Sequence, residues 1–262
     1  MAKPQAVIDF EADERLGQRL AQAPGDDQSK TRYLFELAYN EAEPDTELKR
    51  AAMRRLRETE PRVLTAVVTA RLASSPPNVQ IGMLEITREV YPKIGGLDAT
   101  LDDTLSERIR DGNPQVAAKA IEVTSHLGVQ SSYLPLREVA STPGSPMREQ
   151  AIQAIARLRD PRAVIFFKKL LDGKGAPKEE IYRGLGAIGR PAALLLKEKM
   201  NDPSPQDRDL ACDALITMAS GDDLSALYAY IQKYPPQGER KQRIYDAIAT
   251  IEARGQERPA GE

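Results

Sequence analysis

The chain has 262 residues, of which 41% are hydrophobic and 29% charged, and its formal net charge is −2. Aromatic residues make up only 5% and tryptophan is missing, which disfavours a β-sandwich or barrel because those folds draw on aromatic and β-branched side chains. The nearly balanced charge argues against a general affinity for nucleic acid or anionic membranes. No apolar run approaches about 18 residues, so no membrane span is predicted.

The N-terminal segment predicts one helix followed by a linker. Apolar side chains recur at helical spacing over residues 5–20. They are Val7, Ile8, Phe10, Leu16 and Leu20. The stretch from Ala23 to Asp27 contains Pro and Gly and predicts a break. We therefore assign residues 1–29 to an N-terminal capping helix and linker.

A two-helix pattern then recurs about every 30–37 residues, the period of a helical repeat array. One marker position near the start of each unit is followed by small and apolar residues on one helical face. The marker residues are Lys49, Gln80, Ala117, Arg148, Lys178, Arg208 and Lys241. The pattern predicts about seven helical hairpins over residues 30–254. Residues 255–262 are polar with Gly and Pro, and predict a disordered tail.

The clearest unit runs from Pro146 to Asp172. Its first helix has small or apolar residues at one face, and Asp160-Pro161 then interrupts it. Asp can cap the following helix, and Pro is tolerated at a first helical position. Ala151 and Ala211, at equivalent places in two units, predict a close helix crossing that a larger side chain would overpack.

This unit resembles a known family. The motif Met-Arg-x-x-Ala-x-x-Ala-Ile from Met147 to Ile155, followed by Asp160-Pro161, is similar to the short HEAT repeat of phycobilisome lyases, and residues 207–215 are similar again. The resemblance implies an all-α fold, a right-handed α-solenoid of about seven HEAT-like hairpins. It specifies architecture strongly and activity hardly at all.

Basic residues form the first candidate binding feature. They hold the marker position in five of the seven units, at Lys49, Arg148, Lys178, Arg208 and Lys241. The resemblance implies that such residues form a ladder of ion pairs with acidic residues of neighbouring units. The alternative is a row of cations that lines a binding surface.

Regional charge is the second feature. Residues 141–200 hold 12 Lys or Arg against 6 Asp or Glu, which could mark a patch for an acidic protein surface. Many of these cations lie near turns, so we expect them to share one edge of the array. Solvated, evenly spread charge is the alternative. The candidate partner-binding residues are Arg148, Arg157, Arg159, Arg162, Lys168, Lys169, Lys178, Arg190 and Arg208.

The sequence contains few residues of the types that usually carry out catalysis. His126 is the only histidine, so no Ser-His-Asp site and no site with several histidines is predicted. This also excludes deoxyhypusine hydroxylase, whose iron is held by His-Glu pairs. Cys212, the only cysteine, is expected to be a small buried residue, and without disulfides a reducing, cytoplasmic compartment is favoured. Gly184-Leu-Gly-Ala-Ile-Gly189 follows a helical pattern, so it fails the strand test for a dinucleotide motif.

We therefore predict a protein-interaction scaffold or adaptor that catalyses no reaction and needs no cofactor or metal. Its partner would be another protein, with an acidic surface as one possibility; nucleic acid is disfavoured because aromatic stacking partners are few. Oligomeric state is open. Two alternatives follow from the resemblance: a phycobilin-lyase-like chromophore-attachment factor and a HEAT-like DNA glycosylase. Candidate anchor residues are Tyr39, Tyr91, Tyr133, Tyr182 and Tyr245.

Overall fold

The computed structural model describes residues 3–23, 25–93 and 99–256. Every regular element in these ranges is an α-helix, with short 3-10 turns between some of them. The chain divides into two compact units, Met1–Leu136 and Arg137–Glu262. The predicted fold class, an all-α solenoid of repeated helical pairs, is confirmed.

The first unit holds seven helices, and an eighth, α8 (Tyr133–Ser141), crosses the boundary between the units. In chain order they are α1 (Gln5–Gln22), α2 (Asp27–Ala38), α3 (Thr46–Glu58), α4 (Pro61–Arg71), α5 (Pro77–Val90), α6 (Ala99–Glu107) and α7 (Pro114–Leu127). Proline is the first residue of α4, α5 and α7, where its missing N–H is no loss. Alternate helices lie side by side, α1 on α3, α3 on α5 and α5 on α7.

The second unit repeats this arrangement. Its helices are α9 (Arg148–Arg157), α10 (Arg162–Leu171), α11 (Lys178–Ile188), α12 (Ala193–Lys199), α13 (Pro205–Ile216), α14 (Leu224–Lys233) and α15 (Gly238–Gln256). The first helices of successive hairpins, α9, α11 and α13, pack against one another, and α15 packs on α13 and α14. The second helices are α10, α12 and α14.

Small residues allow the first helices to approach closely. Ala151 and Ala211 are fully buried, as predicted. A Cβ at Gly184 of α11 would lie 3.3 Å from Ala156 Cβ of α9 and 2.8 Å from the ring of Phe167 on the second helix α10. A Cβ at Gly186 would lie 3.1 Å from the Ala214 carbonyl oxygen of α13. These glycines belong to a helix crossing, which confirms that the Gly-rich segment is not a nucleotide loop.

The ends of the array add detail to the predicted boundaries. Helix α1, predicted as a cap, packs on α3. Helix α2 already begins at Asp27, because the Asp26 carboxylate accepts a hydrogen bond from the Ser29 N–H at 3.0 Å. Helix α15 continues to residue 256, two residues into the predicted tail. Residues 257–262 of that tail, and Pro24 of the linker, lie outside the described residues.

Candidate partner-binding surface

The nine predicted binding residues lie at both ends of the hairpins. Arg157, Arg159, Arg162 and Arg190 flank the turns inside the α9–α10 and α11–α12 hairpins, whereas the basic marker residues begin α9 and α11 or lie in the first turn of α13. A helix of ten residues spans about 15 Å, so these are opposite edges. The four arginines near the turns inside the hairpins therefore lie at one edge, and the marker residues lie at the other. Lys168 and Lys169 lie between the two edges, on α10.

The marker residues mostly bind main-chain carbonyl groups. Arg148 donates to the Ala140 and Gly175 carbonyl oxygens at 3.1 and 3.0 Å. Arg208 donates to the carbonyl oxygens of residues 202 and 203, and its guanidinium lies 4.1 Å from the centre of the Tyr234 ring. Lys49 likewise donates to the carbonyl oxygen of residue 40, at 2.8 Å. These cations close turns within or between hairpins, a structural role.

Lys178 is the marker residue that does pair with an acidic residue of the next hairpin. Its ammonium group contacts the carboxylate of Asp207 at the start of α13, which also accepts a hydrogen bond from the Tyr182 hydroxyl. The Asp207 N–H in turn donates to Ser204 Oγ at 3.3 Å. Burial opposes ionisation of Asp207, but these bonds outweigh it and hold the pKa of the carboxyl below its usual value. Among the described residues, Lys178 is therefore the one basic marker residue that forms the implied ion pair with a neighbouring hairpin.

Three further candidates are held by carboxylates of the chain. The Arg162 guanidinium binds Asp160, with Nε 2.8 Å from one carboxylate oxygen. Arg190 pairs with the fully buried Asp223, which also contacts Lys197 Nζ at 2.6 Å. Lys168 Nζ lies 2.9 Å from Glu198 Oε2 and joins α10 to α12. The charges of these three residues are therefore compensated within the chain.

Three of the nine remain exposed and, among the described residues, have no side-chain partner: Arg157, Arg159 and Lys169. Arg159 stands apart because its φ is +52°, the only positive φ of a described residue other than glycine. The equivalent position before α12 is Gly189, with φ +86°. An L-residue in this conformation is disfavoured. Such strain is a starting point for a functional hypothesis.

Sequence reasoning missed the exposed apolar side chains of the second helices. Ile165 of α10 is 66% exposed and Leu194 of α12 is 81% exposed. Each lies about one turn before a residue of the Lys168–Glu198 ion pair, so both occupy the same face of neighbouring helices. A signal was present: both second helices carry more apolar residues than one buried face can use.

Several candidate residues from the sequence are buried in the core. Tyr133 and Tyr182 are buried, so they cannot anchor a partner, whereas Tyr245 is exposed. Cys212 is fully buried, and burial raises the pKa of its thiol to about 12, which confirms an inert packing role. His126 is exposed near the end of α7.

Other kinds of site are weakly developed in the described part of the chain. A cavity of about 280 Å³ between α11, α13 and α15 has a mixed lining that includes Arg183, Asp213 and Leu210, which is at the lower end of ligand-pocket volumes. No group of three or more His, Cys, Asp or Glu side chains in the described ranges could hold a metal ion. Among the described helices none combines the length and apolarity that crossing a bilayer requires.

Comparisons with known proteins agree with the repeat architecture. The family model for HEAT repeats matches residues 103–177, which confirms the resemblance drawn from the motifs for that segment. A search of the curated proteins finds no significant match to the sequence.

Solved structures with some similarity are themselves diverse. The complex of CpcE and CpcF of phycocyanin lyase from Nostoc sp. PCC7120 is 17% identical with a TM-score of 0.39, over 74% of this chain and 95% of that one. An engineered protein is 15% identical with a TM-score of 0.44, over 88% and 77%. Human deoxyhypusine hydroxylase is 16% identical with a TM-score of 0.37, over 86% and 97%. None of these likenesses bears on an activity or a partner.

Proposed function

We propose that this chain is a HEAT-repeat scaffold that binds an acidic surface of another protein through its second unit and catalyses no reaction. The helical repeats supply a surface assembled from many short elements, which is what repeat proteins use for binding. We expect it to work in the cytoplasm, a proposal supported by the single cysteine and its burial.

One observation carries the proposal. Arg159 keeps a long cationic side chain in a backbone conformation that favours glycine, and this side chain is exposed with no partner among the described residues. The described contacts therefore show no stabilising role for the Arg159 side chain. Arg157 and Lys169 add two more exposed, unpaired cations in the same hairpin. Excess positive charge that the chain does not satisfy internally favours an acidic partner.

The remaining six predicted residues have a different role in this proposal. Their hydrogen bonds and ion pairs close turns and join neighbouring hairpins, as Lys178 does with Asp207. They hold the surface in shape, whereas the unpaired cations meet the partner. The basic residues therefore include both kinds: some stabilise the array through internal contacts, and others are available to bind a partner.

The test is a quantitative pull-down from a lysate of the source organism. The variant Arg159→Gly/Lys169→Gln removes two unpaired cations from the second unit. The matched control, Arg62→Gln/Arg71→Gln, removes two exposed arginines from the first unit, whose side chains have no partner among the described residues. We expect the second-unit variant to lose an acidic, stoichiometric partner several-fold and the control to keep it.

Two outcomes would contradict the proposal. Equal capture by both variants would remove the second-unit cations from the interface. Conversion of a small molecule by the purified chain, with no protein captured, would favour an enzyme. Because salt screens exposed charge pairs, capture by the wild type must also fall as ionic strength rises.

A further inference from the structure

The faces of α10 and α12 carry a second feature that the cations do not explain. Ile165 and Leu194 are among the most exposed large apolar side chains of the described residues, together with Phe10 of α1. Scattered exposed apolar residues are ordinary. These two, however, lie on the second helices of consecutive hairpins, each about one turn before its own residue of the Lys168–Glu198 ion pair.

The ion pair fixes how the two side chains are arranged. Lys168 Nζ lies 3.0 and 2.9 Å from the two carboxylate oxygens of Glu198, so α10 and α12 are neighbours on this face. Ile165 precedes Lys168 by three positions and Leu194 precedes Glu198 by four, spacings that share a helix face. The two apolar groups therefore lie on the same side of this ion pair.

The charges beside this pair are mainly positive. Along α10 the stripe that contains Ile165 begins at Arg162 and ends at Lys168 and Lys169, and Lys169 is unpaired among the described residues. The acidic groups beside the stripe, Asp160, Asp172 and Glu198, already contact Arg162, Lys199 and Lys168 respectively. The result is an apolar centre with a cationic rim.

From this arrangement we infer that the α10–α12 face is a docking surface for an acidic amphipathic helix of the partner protein. In a helix, residues seven apart share a face and lie about 10.5 Å apart along the axis, so one face of a partner helix can present two apolar groups to Ile165 and Leu194. Two apolar residues of the partner pack on these anchors, and acidic residues beside them meet the unpaired Lys169. This is helix-in-groove recognition with a polar rim. The inference rests on the proposed function and specifies the partner's recognition element.

A synthetic peptide tests the inference directly. The probe is a fluorescent 18-residue peptide with Leu at the first, fourth, eighth and eleventh positions of a helical face and Glu elsewhere on that side. Its control has the same composition in scrambled order. Binding to the full chain is followed by fluorescence anisotropy, with circular dichroism to show that each variant is folded.

The expected result has two parts. The amphipathic peptide binds the wild-type chain at least about tenfold more tightly than the scrambled peptide. Ile165→Ala/Leu194→Ala weakens that binding about tenfold or more, as truncation of interface anchors does. Val7→Ala/Phe10→Ala, which removes exposed apolar groups from α1, leaves it unchanged.

Four results would overturn the inference. Equal binding of both peptides would mean that charge alone is recognised, which leaves the proposed function standing. Equal loss with the α1 control, or no loss with Ile165→Ala/Leu194→Ala, would remove the two anchors. Self-association that this double variant abolishes would assign the face to a second copy of the chain. The proposed function fails separately, when Arg159→Gly/Lys169→Gln captures as much partner as the wild type.

Discussion

At the scale of single residues, Arg159 separates stability from function. Glycine removes the left-handed strain, which costs about 1–2 kcal/mol for an L-residue, but adds freedom to the unfolded chain. We therefore expect Arg159→Gly to raise the free energy of unfolding by up to about 1 kcal/mol, measured by urea denaturation. Partner binding should fall at the same time.

A matched control lies two residues away. Arg157 is the last residue of α9, with ordinary helical geometry, so Arg157→Gly should lower the free energy of unfolding by roughly 0.5–1 kcal/mol. If Arg159→Gly were as destabilising as this control, the arginine would be contributing to the fold, and its use as a mark of function would be unsupported.

The Lys178–Asp207 pair predicts a dependence on pH. The pKa of Asp207 in the folded chain lies below its ordinary value of 3.8, so the carboxylate stabilises the fold at pH values above 3.8. This contribution is lost as the pH falls below 3.8 towards the folded pKa. Lys178→Gln should lower the free energy of unfolding by roughly 1–3 kcal/mol at pH 7 and flatten its decline in acid.

The comparison for this pair is Lys174→Gln. Lys174 is exposed on the preceding turn and has no partner among the described residues, so its loss should change neither the stability at pH 7 nor the acid profile. Unfolding curves collected from pH 3 to pH 7 would decide. Identical profiles for both lysine variants would show that Asp207 does not depend on Lys178.

Residue roles were the hardest part to predict from sequence. The motif correctly marked Ala151, Ala211 and Cys212 as buried, because the helical period alone determines which face packs. It could not show that Arg148 binds carbonyl groups while Lys178 binds a carboxylate. Those partners are set by turns whose geometry the repeat period does not encode.

At the scale of helices, two glycines, one in α11 and one in α1, predict opposite effects from the same substitution. Gly186→Ala would bring a Cβ to 2.9 Å from Thr217 Oγ1 and 3.1 Å from the Ala214 carbonyl oxygen. The resulting overpacking should cost about 1–3 kcal/mol, more than alanine's gain in helix propensity. A Cβ added at Gly17 of α1 would have no atom within 4 Å, so Gly17→Ala should stabilise by about 0.5–1 kcal/mol.

Urea denaturation of the two variants measures this contrast. Stabilisation by both alanines would mean that α11 and α13 have room to separate, and the close crossing would not be a requirement of the array. Destabilisation by Gly17→Ala would mean instead that the outer face of α1 is covered in solution.

Helix positions were largely predictable, and their ends less so. The marker residues from Lys49 to Arg208 all lie in observed first helices, because the apolar period determines which segments pack. The predicted capping helix, α1, packs on α3, although its sequence lacks the Ala and marker pattern of the other units. Helix α15 passes the Gly at position 255, although glycine often ends a helix.

At the scale of the whole chain, the sequence predicts a repeat array and a protein partner but leaves the binding surface unresolved. A count of charges marked residues 141–200 correctly as the basic segment. It could not divide those cations into internally bound ones, such as Arg190, and unpaired ones, such as Lys169. The exposed apolar pair was missed because buried and exposed positions of a short second helix look alike in sequence.

The central claim is that the second unit binds an acidic protein through the face that carries Leu194. Site-specific photo-cross-linking tests it most directly, with a benzophenone side chain in place of Leu194 and, as control, in place of Phe10. In lysate of the source organism we predict one acidic protein cross-linked at position 194, lost at about 0.5 M salt where charge interactions are screened, and not cross-linked at position 10. No product at position 194, the same product from both positions, or cross-linking that high salt leaves unchanged would contradict the account.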